Sequence, residues 1–120
     1  MWSIDFTELS RRHPQFKDAF EAVEAWLNLM EDVQHLEVFR IISWKPDIGP
    51  EELSRALNIM VEEGILKRSY GVRAPDRTLA IEGFRDSPDK FPKKLHSSSD
   101  LVFRRNEGNV VLVYRKAVAR

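Results

Sequence analysis

The sequence predicts an α+β fold: three N-terminal helices followed by a small antiparallel sheet of two hairpins. Three observations carry that expectation. Apolar residues recur at three- and four-residue steps as far as Gly64, and nearly at alternate positions beyond it. Gly49-Pro50 and Gly64 mark helix ends, whereas Ala74-Pro75-Asp76-Arg77 and Asn106-Glu107-Gly108-Asn109 read as turns between strands. Helices in one run and strands in the next is the α+β order. A chain of 120 residues fits one domain, 1–120, with an N-terminal arm at 1–13, a helical half at 14–64 and a β half at 65–120.

Each element has its own reason. In "HPQFKDAFEAVEAWLNLMED", Phe16, Ala19, Phe20, Val23, Leu27 and Met30 form one apolar stripe, and Pro14 suits a first helical turn, where its missing N–H costs nothing. Trp26 lies beside that stripe. "HLEVFRIISW" is too densely apolar for a half-exposed helix. It predicts a short helix buried on most sides, with a strand as the alternative, stopped by Lys45-Pro46. "GPEELSRALNIMVEEG" predicts a helix with Leu53, Ala56, Leu57 and Met60 facing inward and Gly64 in the left-handed position after its end. "ILKRSYGVRAPDRTLAIEGF" predicts the first hairpin and "LVFRRNEGNVVLVYRKA" the second. Between them, about 83–100 is a loop with one helical turn at Phe91–Leu95. The run Val110, Val111, Leu112, Val113 predicts a strand that is central or covered on both faces. Ahead of the first helix, Trp2, Ile4, Phe6 and Leu9 nearly alternate, to seal the core or to strap a dimer.

Charge and composition bound the function. Apolar residues at 42% and charged residues at 32% give the balance of an ordinary soluble protein. With no cysteine, disulfides and thiolate metal sites are excluded. "MWSIDFTELSRRHP" lacks a secretory signal, and no apolar run is long enough to span a membrane, so the expected location is cytoplasmic. The zero net charge is divided. Residues 1–64 carry six Lys/Arg against thirteen Asp/Glu, and 65–120 carry thirteen against six. Such asymmetry points to a partner for one face, the plainer alternative being two solvated surfaces of opposite sign.

The stretch "PEELSRALNIMVEEGILKRSYGVRAPDRTLAI" resembles the winged-helix superfamily over roughly residues 35–82: two helices, a strand, a turned wing and a return strand. The resemblance implies a third helix lying in the DNA major groove, with basic wing residues on the phosphates. The chain departs from that pattern twice. "PEELSRAL" looks like the second helix and "LNIMVEEG" like the end of the third, so the segment that would touch bases is compressed out. The surviving helix also sets Glu51, Glu52, Glu62 and Glu63 against a lone Arg55, and phosphates repel such a surface.

Two sets of residues are therefore the candidate interaction sites. One is the acidic helix, Glu51, Glu52, Glu62 and Glu63. The other is the basic wing and sheet face, Lys67, Arg68, Arg73, Arg77, Lys93, Lys94, Arg104 and Arg105. Tyr70, Phe91, Phe103 and Tyr114 would stack on bases if they stood on that face; as alternating strand residues they more simply point inward. Catalysis finds no support. His13, His35 and His96 are scattered, and "LHSSSD" reads as a turn more readily than as a nucleophile with its base. No cofactor, metal or catalytic residue is expected. The expected function is a non-enzymatic, regulatory or adaptor module that binds a protein or a second copy of itself through oppositely charged faces, with no membrane role. The alternative is a nucleic-acid-binding transcriptional regulator that uses the basic wing.

Overall fold

The computed structural model describes residues 3–30 and 32–117. It is an α+β protein of four α-helices and short antiparallel strands: α1 Phe6–Arg12, α2 Lys17–Leu29, β1 His35–Leu36, α3 Val38–Trp44, α4 Pro50–Glu62, β2 Leu66–Val72, β3 Leu95–His96, β4 Val102–Phe103 and β5 Val110–Lys116. Two compact units divide the chain. The first takes residues up to Lys67 and those from Tyr114 onward, and the second takes Arg68–Val113.

The helical unit is built on α4. Its stripe of Leu53, Ala56, Leu57 and Met60 is wholly buried, as the sequence predicts, and it joins Phe20 and Val23 of α2, Ile41 of α3 and Leu9 of α1 in one core. Pro50 occupies the first turn, where an N–H would have no partner. Gly64 closes the helix at φ +76°, with the Ile65 N–H bonded to the Met60 carbonyl at 2.9 Å, so an L side chain at Gly64 would be strained. β1 pairs with β5, Leu36 opposite Tyr114, and the Tyr114 hydroxyl donates to Asn58 Oδ1 of α4 at 3.0 Å.

Several expectations are corrected in this unit. The arm at 1–13 contains α1, because Phe6 and Leu9 share one helical face and Asp5 Oδ1 caps the helix by accepting the Glu8 N–H at 2.9 Å. Among the described residues there are thus four α-helices rather than three, and β1 of the sheet lies between the second and the third. Trp2 lies outside the described residues, as does Glu31 at the end of the expected first helix. Pro14 starts a single 3-10 turn, Pro14–Phe16, that leads into α2. "HLEVFRIISW" divides into the two-residue β1 and the helix α3. That helix is not buried on most sides, since Phe39 is 78% and Trp44 41% exposed. "PEELSRAL" and "LNIMVEEG" form one uninterrupted helix, so the helix before it is α3.

The sheet order is β1-β5-β2, which makes β5 the middle strand, although Leu112 is 43% exposed and the strand is not covered on both faces. In the second unit, both predicted turns form. Asp76 Oδ1 accepts the Thr78 N–H and hydroxyl, and Asn106 Oδ1 accepts the N–H groups of Gly108 and Asn109. The hairpins themselves differ from expectation. The return segment after Arg77 makes only the isolated bridges Arg73–Leu79 and Tyr70–Arg85. β4 pairs with β3, which lies inside the predicted loop, and not with β5. The predicted turn at Phe91–Leu95 is replaced by a 3-10 turn at Pro88–Lys90. The physical reason is the unit's small core of Val72, Ala80, Phe91 and Leu95: burying Phe91 and Leu95 requires extended chain there. Gly71 lies under Leu79 and Phe84, whose side chains would stand 3.3 Å from an added Cβ.

No helix among the described residues is long and apolar enough to cross a membrane. Because α4 packs against both α2 and α3 and its stripe lies in the common core, Leu57→Ala is expected to lower unfolding stability by about 3 kcal/mol, the usual cost of truncating a fully buried leucine. Urea denaturation followed by circular dichroism checks this.

Candidate functional site

The acidic set comes apart in the structure. Glu63, the residue that ends α4, turns its carboxylate onto α1. Oε1 takes the Arg12 guanidinium, and Oε2 lies 2.9 Å from His13 Nε2. Partial burial pushes the Glu63 carboxyl up, but hydrogen bonds from His13 and Arg12, with their positive charges, outweigh that and hold it below its ordinary value. Glu63 is therefore tied internally to Arg12 and His13. Glu51, Glu52 and Glu62 take no ion-pair partner among the described residues, and Arg55 lies on the same helix.

All three histidines find a glutamate, a pairing that the sequence does not reveal because two of the three are distant in the chain. Besides His13 with Glu63, His35 Nε2 lies 3.1 Å from Glu37 Oε2 at the start of α3, and His96 Nδ1 lies 2.7 Å from Glu82 Oε2. Burial pushes the Glu82 carboxyl up, and the His96 ring and backbone N–H pull it further down. Ser97 and Ser99 belong to a different network. Their hydroxyls lie 3.0 Å apart, and Ser99 donates to Asp76 Oδ2 at 2.6 Å. With Thr78 also donating, Asp76 is lowered to about 2. His96 Nδ1 is held by Glu82, while the Ser97 hydroxyl is shared with Ser99 and the N–H groups of Ser99 and Leu101, so the two belong to separate hydrogen-bond networks. Among the described residues no three histidine or carboxylate side chains gather into a metal site.

The basic set divides as well. Lys93, Lys94, Arg104 and Arg105 converge in the second unit, where with Phe91 and Pro92 they line an open groove of about 390 Å³. Arg104 also lines an adjoining groove of about 480 Å³ that includes Arg73, Pro75, Phe103 and Asn109. The Arg73 guanidinium donates to the Arg77 carbonyl at 3.0 Å, which steadies the turn in which Arg77 holds φ 72°. Arg77 and Arg68 are exposed and Lys67 half-buried, and none of the three lines either groove. Asp89 is the acid that faces this cluster. The Ser87 hydroxyl first, its own N–H next, and then the charges of Lys90 and Arg105 hold its carboxyl below the usual range.

The aromatic residues considered for base stacking are core. Tyr114 is buried against Asn58, and Phe91 is buried with the Arg85 guanidinium 5.6 Å from its ring centre. Tyr70 and Phe103 pack on the core of the second unit. The aromatic surface that the sequence does not reveal is on α3. At 100° per residue, Phe39, Ser43, Arg40 and Trp44 span one arc of about 140°, and all four are exposed. The Trp44 ring lies 5.6 Å from that of Trp26, and Leu29 and Met30, also exposed, follow Trp26 by three and four residues, the spacing of neighbours on a helix surface. The one sequence signal was the density of the apolar run itself, which exceeds what a seven-residue helix can bury.

The tie at Glu63 sets a pH dependence. A carboxyl whose folded value lies below its ordinary 4.5 stabilises the fold fully above that value, and the contribution is lost as pH falls through the folded value. The difference in melting temperature between the wild type and Glu63→Gln is therefore expected to be present at about pH 5 and to shrink as the pH falls below 4.5. Thermal melts across that range check it; a difference that grows on acidification contradicts it.

Comparison with protein-family models, curated proteins and solved structures finds no match to the chain, so its surfaces speak through their own chemistry.

Proposed function

We propose that the chain is a non-enzymatic protein-docking module, regulatory or adaptor in role, whose docking face is the outer arc of α3. One observation carries this reading: Phe39 stands 78% exposed at one edge of an arc whose other edge is Trp44, 41% exposed, with Ser43 and Arg40 exposed between them. Covering a phenylalanine with a partner contributes about 2 kcal/mol, and aromatic residues with a nearby arginine, here Arg40, are the usual anchors of protein interfaces. A winged-helix-like arrangement belongs to the same proposal. Two helices (α3 and α4), a strand (β2), a long excursion over 73–109 and a returning strand (β5) support it.

The unpaired glutamates on α4 support contact with a partner of positive charge, a second copy of the chain included, and weigh against α4 lying along phosphates. The separate hydrogen-bond networks of His96 and Ser97 support a module that binds without catalysing.

The test is affinity capture from extracts of the producing cells, with the wild type and Phe39→Ser as paired baits. A protein held by the wild type and reduced tenfold or more by Phe39→Ser, with the melting temperature unchanged, is the expected result. If the captured protein is the chain itself, light scattering reads the loss of dimer directly. Identical capture by both baits, with a monomer in both cases, contradicts the reading.

A further inference from the structure

The cations of the second unit have an order that composition alone does not require. β3 and β4 pair with Leu95 opposite Phe103 and His96 opposite Val102. Lys93 and Lys94 directly precede β3, and Arg104 and Arg105 directly follow β4, at the same end of that antiparallel pair. Four positive charges thus meet at one end of a two-stranded ribbon, and all four line the same groove. Lys93, Lys94 and Arg104 make no ion pair among the described residues, and Arg105 has Asp89 as its acidic neighbour. Like charges gathered along one groove repel one another, and the small core of Val72, Ala80, Phe91 and Leu95 contains none of them.

We propose that this cationic strip binds the phosphodiester backbone of a nucleic acid without choosing its sequence. The strip is longer than one phosphate needs: Arg104 joins the first groove to the second, where Arg73 continues the positive lining. An elongated polyanion with regularly spaced charge fits that shape. The two arginines supply planar, forked donors suited to phosphate, and the two lysines supply point charges. Readout of bases has no platform here, since Phe91 is buried beneath Arg85 and Phe103 packs on the core. Asn106 and Asn109 turn their side chains to the chain's own backbone, which leaves the contacts to phosphates. The site is independent of the α3 docking face.

Fluorescence anisotropy with labelled single-stranded and duplex 20-mers of mixed sequence tests this between 50 and 200 mM salt. Binding is expected for at least one of them, with a slope of log affinity against log salt of about −3 to −4, the value for four neutralised phosphates. Lys93→Glu with Arg104→Glu is expected to weaken binding at least tenfold at 50 mM salt, while Lys17→Glu, the same change of sign on α2, leaves it within twofold. If the glutamate pair does not fold, Lys93→Gln with Arg104→Gln takes its place, with an expected loss of at least threefold. No binding of either oligonucleotide overturns the proposal. So does equal binding of poly-glutamate or of phosphatidylserine vesicles, and so does an affinity unmoved by substitutions in the strip.

Discussion

The buried stripe of α4 is the constraint on which the helical unit depends. Leu53, Ala56, Leu57 and Met60 are fully withdrawn from water, and residues from α1, α2 and α3 join the same core. A helix of thirteen residues is marginal alone, so burial of this face and formation of the helix are one event. Polar ties then fix what the stripe gathers. Asn58 holds the Tyr114 hydroxyl of β5, and Glu63 holds Arg12 and His13 at the end of α1.

That arrangement changes the meaning of the charge division. A row of glutamates on one helix suggests a surface prepared for a partner, but the best-placed of them closes the fold from within. What remains outward on α4 is a shorter acidic face, and the exposed aromatic arc of α3 is the surface on which the docking proposal rests. In the second unit the reverse holds. Four of its cations, Lys93, Lys94, Arg104 and Arg105, line one groove, which gathers positive charge in one place.

What was legible in the sequence follows from the range of the interaction involved. α4, Gly64, both turns and the middle of α2 rest on contacts within a few residues and are legible in the sequence, although Met30 at the end of the expected α2 stripe is exposed. α1 escaped because two apolar residues in a seven-residue helix make too short a pattern to distinguish from alternation. The pairing of β3 with β4 escaped because two-residue strands carry no periodicity, and their partnership is decided by where Phe91 and Leu95 are buried. At the sites, residue type was legible and convergence was not. The basic residues could be named, but that Lys93, Lys94, Arg104 and Arg105 share one groove while Lys67 and Arg77 lie outside it depends on register. The exposure of Phe39 was concealed by its apolar neighbours, which do turn inward.

The central claim is that Glu63 ties α1 onto the end of α4 as part of the fold. Site-resolved amide hydrogen exchange measures this most directly in the wild type and Glu63→Gln. The account predicts that the N–H groups of Leu9 and His13, bonded to the Asp5 and Leu9 carbonyls, lose protection selectively while Leu57 in α4 keeps its own. Equal protection of α1 in both proteins, or a uniform loss across the helical unit, would contradict it.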